Sequence, residues 1–239
     1  MGYRYRYRKN KKGKQALLGV ILLLFWAIIS FADNVYYKDK VALPANFAIE
    51  EYKGNAYSIV NHNIPYFKEE EIKKKSFEDY WRLDKYGRCR GAIACLGYDL
   101  MPTGERESIS SIEPTGWKSK RYAFIDQNYL YNRSHLIGFQ LSGENANERN
   151  LITGTRYMNV EGMLPFENQV ADYIRESNNH VMYRVRPIFE GNNLLAKGVL
   201  IEALSVEDGG QGICFNVFCY NVQPGVGIDY RDGSSRRVG

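Results

Sequence analysis

The sequence predicts an α+β fold built on an antiparallel sheet, and three observations predict it. The last third of the chain carries three β-prone segments, VMYRVRPIF, LLAKGVLIEALS and ICFNVFCYNV, with turn signals at 191–193 and 208–212. They read as a meander of three long antiparallel strands. Residues 153–162 and 165–177 read as helical, with Phe166, Val170 and Ile174 forming an apolar stripe and Pro165 admissible only at the start of the second piece. Short β-prone runs at 122–125 and 129–131, separated by Asp126, Gln127 and Asn128, read as a hairpin. Helices and strands therefore come in groups instead of alternating, the order of an α+β domain.

The chain begins with a basic tail. Residues 1–14 hold Arg4, Arg6, Arg8, Lys9, Lys11, Lys12 and Lys14 and no acid, so the other 225 residues carry 25 bases against 27 acids, a balance of −2. The whole-chain charge of +5 is thus no evidence for a nucleic-acid partner. Next comes QALLGVILLLFWAIISFA, residues 15–32, an uncharged stretch that as a helix would span roughly 27 Å. Positive charge before an apolar run fits a transmembrane anchor with a cytoplasmic tail, and equally a signal segment cut after Ala32, where Ser30 and Ala32 supply small residues. The first reading gives a single-pass protein of the cell membrane with residues 33 onward outside, and the second a secreted one. At 44% hydrophobic and 25% charged, with 22 Gly, the composition excludes a disordered tail protein, a collagen-like repeat and a polytopic membrane protein.

Residues 33–87 read as a spacer with a small helical element, EEEIKKKSFEDYWRL at 69–83, whose opposite charges recur at helical spacing. Residues 97–117 are dense in Gly, Pro and Ser and read as loop. Cys89 and Cys95 could close a small loop. Cys214 and Cys219, five apart in one expected strand, face opposite sides and cannot pair there. Of the three histidines, His62 and His180 read as solvated loop residues, whereas His135 leaves a strand end in YNRSHLIG and precedes the polar run ENANERNLITGTRYMN.

The segments YNRSHLIGFQLSG, NERNLITGTRYMN and FNVFCYNVQPGVGIDYRDG together resemble the DNA/RNA non-specific endonuclease family, in its branch of bacterial DNA-entry nucleases and streptococcal secreted DNases. The likeness covers 88–239 as one endonuclease domain, with its motifs between about 88 and 235. It implies a ββα-metal, or His-Me finger, core, in which a strand pair delivers a histidine and the following helix a metal ligand. By that resemblance His135 matches the general base of an Asp-Arg-Gly-His motif, with Asn132 and Ser134 replacing the Asp and Gly. Arg133 is the motif's arginine. Asn159 matches the asparagine that holds a single Mg²⁺, with Mn²⁺ as a substitute, Asn150 a second active-site asparagine, and Glu167 an acid reaching the metal's water shell.

Phosphodiester hydrolysis calls for these residue types: a base to deprotonate water and a cation to offset charge at the phosphorus. Mg²⁺ keeps most of its waters and accepts few protein ligands, so one amide oxygen suffices. Arg156, Arg184 and Arg186 join Arg133 as expected phosphate contacts, the latter pair because they alternate onto one strand face. The expectation is a metal-dependent, sequence-independent endonuclease acting on DNA, with RNA a second substrate class, outside the cytoplasm. A catalytically degenerate nucleic-acid-binding or adhesion module on the cell surface is the alternative.

Overall fold

The computed structural model describes residues 13–29, 42–44 and 47–238, and divides the chain into two compact units, Met1–Leu43 and Pro44–Gly239. In the first unit a helix, α1, spans residues 13–29. Lys14 lies in its first turn, so the uncharged part runs from 15 to 29, about 22 Å of helix against a hydrocarbon core of about 30 Å. Among the described residues no helix is long and apolar enough to cross a membrane. The anchor expected over 15–32 is therefore not supported. The basic tail up to Lys12 and the cleavage position after Ala32 lie outside the described residues.

The second unit contains β1 (Tyr57–Ile59), β2 (Phe77–Tyr80), β3 (Ala92–Leu96), β4 (Tyr131–His135), α2 (Phe139–Ser142), β5 (Leu151–Thr155), α3 (Leu164–Ser177), β6 (Val181–Ile188), β7 (Gly198–Ser205), β8 (Cys214–Tyr220), β9 (Val226–Ile228) and β10 (Ser235–Arg237). Six strands form one antiparallel sheet in the order β1-β8-β7-β6-β3-β2, and β4-β5 and β9-β10 form separate pairs. The expected meander is β6, β7 and β8. Both faces of this sheet are covered, so its strands read as long buried runs. Val181, Tyr183 and Val185 point into the core shared with Val170, Ala171 and Ile174 of α3 and with Leu136, Ile137 and Ile152 around the β4-β5 pair. The apolar stripe expected on the second helix is the face that packs here.

The opposite face carries Arg184 and Arg186 of β6 and Glu202 of β7, under the segment that holds Tyr66, Phe67 and Glu71. Residues expected as spacer thus supply two strands and a cover to the sheet. The stretch 69–83 is a 3-10 turn at Glu69–Glu71 followed by β2, not a helix. Tertiary context overrides its charge spacing: the buried run AIACL of β3 has β6 on one side and takes Phe77–Tyr80 as partner on the other.

Three other local expectations are corrected. The strand that delivers His135 pairs with β5, Tyr131 opposite Thr155 and His135 opposite Leu151, whereas around 122–125 and 129–131 there is an isolated bridge between Arg121 and Tyr129 instead of a strand pair. Gln127 and Asn128 take positive φ (59° and 65°) in the tight turn between those runs. Helix begins after Thr155, and the residues before it belong to β5. All four thiols are free. Cys89 donates to the carbonyls of Glu148 (3.2 Å) and Leu151 (3.1 Å), and Cys95 lies inside β3, so the two do not close a loop.

Candidate active site

His135 ends β4 as the chain turns under the main sheet, and only 6% of its surface remains accessible. Its Nε2 lies 2.8 Å from the carbonyl oxygen of Asn145. A carbonyl only accepts, so Nε2 carries the proton of the neutral ring and Nδ1 carries the lone pair. Nδ1 faces the guanidinium of Arg106 at 3.3 Å. Burial lowers the histidine's pKa below its usual value; the Asn145 carbonyl opposes this, and Arg106 adds to it. The ring is therefore held neutral, with a basic nitrogen turned toward a cation.

Asn150 fixes the chain that leaves His135. Its amide is fully buried, accepting from the Ile137 N–H at 2.9 Å and donating to the Ile137 carbonyl at 3.0 Å, while its own carbonyl accepts from Leu136 N–H. The expected catalytic role is corrected on that ground: both ends of the amide are spent on backbone, and Asn150 positions the loop.

The segment before α3 is a π-helical turn, Met158–Met163, in which the Leu164 N–H bonds the Asn159 carbonyl. Pro165 has no N–H to give a continuing helix, and the wider turn lies directly before it. Eight α-helical residues make about 2.2 turns, and the extra residue absorbed by the π turn reduces the interval from Asn159 to Glu167 to about two. The two side chains thereby share one face, with Glu167 leaning back toward Asn159 as helical side chains do. The start of this helix is clamped from the C-terminal segment. Asn221 accepts the Thr155 N–H (2.8 Å), Gln223 the Tyr157 N–H (3.1 Å), and Thr155 Oγ1 bonds both the Val222 carbonyl and the Met158 N–H.

The Glu167 carboxylate lies against Gly138, where a Cβ would stand 2.7 Å from Oε2, so glycine is what admits the acid beside the His135 strand. Among the described residues it accepts no hydrogen bond. Burial pushes its pKa up to about 7, with Arg106 pulling the other way. A half-buried carboxylate without a partner, on one helix face with an amide that makes no hydrogen bond either, is a donor set suited to a hydrated hard cation. Among the described residues no cluster of three His, Cys, Asp or Glu side chains could hold a metal.

The four expected phosphate contacts divide. Arg133 and Arg156 line one cavity beside His135. Arg133 donates to the carbonyls of Ser110 (2.9 Å) and Ile112, and Arg156 pairs with Asp126 at 2.7 Å. Arg184 and Arg186 lie on the far face of the sheet, 4% and 3% exposed, ion-paired to the buried Glu202 at 2.9 and 2.8 Å. They are a structural network, and the expectation of phosphate contact is withdrawn. Arg106, 3.3 Å from His135 Nδ1, is the residue of this site that sequence patterning missed. Its only signal was to be the sole base in the loop 97–117, which holds four acids.

The α+β domain thus sets an oriented histidine beside Arg106, with the Glu167 carboxylate against Gly138 three residues on. The chain belongs to the DNA/RNA non-specific endonuclease family, whose model matches residues 69–207. A deoxyribonuclease from Streptococcus dysgalactiae subsp. equisimilis is 35% identical, over 64% of this chain and 59% of that protein. The chain thus spans less than two thirds of that curated relative. Among solved structures, magnesium-bound NucA from Streptococcus agalactiae superposes with a TM-score of 0.71 at 22% identity, covering 87% of this chain and 95% of that one. Sda1 nuclease with bound zinc ion gives 0.63 at 26%, covering 77% and 97%.

Proposed function

We propose that the chain is a metal-dependent endonuclease hydrolysing phosphodiester bonds of DNA, and of RNA as a second substrate, outside the cytoplasm. The observation that carries this reading is the orientation of His135: with Nε2 committed to the Asn145 carbonyl, Nδ1 is the ring atom able to take a proton from water. Family membership and the deoxyribonuclease relative support the reaction class. We read β4, β5 and the helix from Arg156 through α3 as the ββα-metal unit.

Asn159 would hold Mg²⁺ through its amide oxygen, and Glu167 would accept hydrogen bonds from the ion's waters. When bound, the ion supplies Lewis-acid stabilisation of charge on the phosphate. Arg106, next to the base and in the cavity wall, draws a non-bridging phosphate oxygen toward Nδ1. That move would free the base's lone pair for the attacking water. For export, the uncharged part of α1, residues 15–29, has the length of a signal's apolar core, about 7–15 residues.

Plasmid DNA incubated with residues 44–239, which hold all the described strands and the core, tests the reading. Cleavage is expected with Mg²⁺, none in EDTA, and losses of about a hundredfold or more in His135→Ala. Asn159→Ala should demand far more Mg²⁺. Activity that survives EDTA, or a His135→Ala protein as fast as the parent, overturns the mechanism; tight DNA binding without turnover marks a binding module instead.

A further inference from the structure

The cavity beside His135 has walls of two kinds. Arg106, Lys120, Arg133 and Arg156 supply cations and Trp117 and Tyr129 supply rings, around a volume of about 540 Å³. Glu113 is the one acid in this lining and Asp126 pairs with Arg156 from beside it, which leaves the four bases in excess in a chain whose residues beyond the basic tail sum to −2. Charge is therefore concentrated here against the trend of the molecule.

The rings are held as platforms. The Arg133 guanidinium lies 4.1 Å from the Trp117 ring centroid and is fixed from behind by the Ser110 and Ile112 carbonyls. Trp117 also packs against the small core of Leu130, Tyr131 and Leu195. Arg121 sits 4.3 Å from the Tyr129 ring, which still keeps 41% of its surface exposed. Rings and guanidinium planes in a basic cleft are the surfaces on which unpaired bases stack, whatever their identity. The volume falls inside the range of small-ligand pockets, about 300–1,000 Å³. Arg106 joins this cavity to the histidine, lining the one and reaching Nδ1 of the other at 3.3 Å. A phosphate drawn to Arg106 thus has its neighbouring nucleotide at the mouth of the cavity.

We propose that this cavity is a nucleobase subsite, which takes an unpaired base next to the scissile phosphate and so favours single-stranded or frayed nucleic acid over intact duplex. The inference rests on the nuclease reading and adds the form of substrate to it. Bases in a duplex stack on their neighbours, and a base reaches these rings only after leaving the stack, at a cost that a single strand largely escapes.

The test is equilibrium binding of the full chain in EDTA to three labelled probes: a short single strand, the same sequence as duplex, and a strand of abasic residues. The base-bearing single strand is expected to bind about tenfold more tightly than the abasic one, which carries the same phosphates. Tyr129→Ala should abolish that difference, and Tyr129→Phe should keep it. Equal affinity of the parent for base-bearing and abasic strands overturns the subsite, as does a Tyr129→Ala protein that weakens on both alike. If those results come with Mg²⁺-dependent plasmid cleavage, the subsite falls and the nuclease reading stands; failure to bind or cut any nucleic acid removes both.

Discussion

Arg106 occupies the most consequential position of any single residue. It faces the lone pair of His135, and its charge also pulls the Glu167 pKa down against burial. Removing that charge relieves one cause of the histidine's lowered pKa, so the folded-state value rises toward that of an ordinary imidazole. Because the base acts in its neutral form, the acid limb of the pH–rate profile of kcat/KM in Arg106→Gln is expected to move to higher pH, together with a lower plateau. An unmoved acid limb would show that the arginine does not act on the base. His135, Asn159 and Glu167 could be singled out because each falls in a segment that resembles a family motif. Arg106 was not, because it reaches the site from an irregular loop that carries no period. Arg184 and Arg186 were misread for a related reason: alternation along a strand identifies a shared face and cannot distinguish phosphate from a buried glutamate as its partner.

At the scale of elements, the meander and the stripe of α3 followed from periodicity, since both bury one defined face. The β2 segment did not, because its charges obey helical spacing while its structure is decided by the neighbouring β3. The π turn before Pro165 was invisible to patterning, yet it sets the angular relation between Asn159 and Glu167. Beneath the sheet, Glu202 binds Arg184 and Arg186 and also accepts the Tyr66 N–H at 2.6 Å. The arginines hold its pKa below the ordinary carboxylate value despite burial. Glu202→Gln removes the carboxylate that two buried guanidinium groups share and leaves Arg184 its pair with Glu71 at 2.8 Å, an expected loss of about 3 kcal/mol by urea unfolding. A loss below about 1 kcal/mol would mean that the network is solvated.

For the whole molecule, the division at Leu43 separates a short N-terminal unit from one that contains all the described strands and the two hydrophobic clusters around α3 and around Leu130. Removing residues 1–43 is expected to change the protein's location and to leave its Mg²⁺-dependent cleavage rate within about twofold, at fixed salt so that phosphate attraction is held constant. A tenfold fall would give the first unit a part in substrate binding. Composition could bound this organisation through the lopsided charge, but the order of strands could not be read from it. That order governs assembly in time. The edge strand β1 pairs with β8, Tyr57 opposite Cys219, and the helix bearing Asn159 is pinned by Asn221 and Gln223. A chain emerging from its amino end therefore carries its histidine long before the residues that complete the site around it. On the proposed nuclease reading, a chain that stops before Asn221 is expected to be inert, because the helix bearing Asn159 then lacks its clamp.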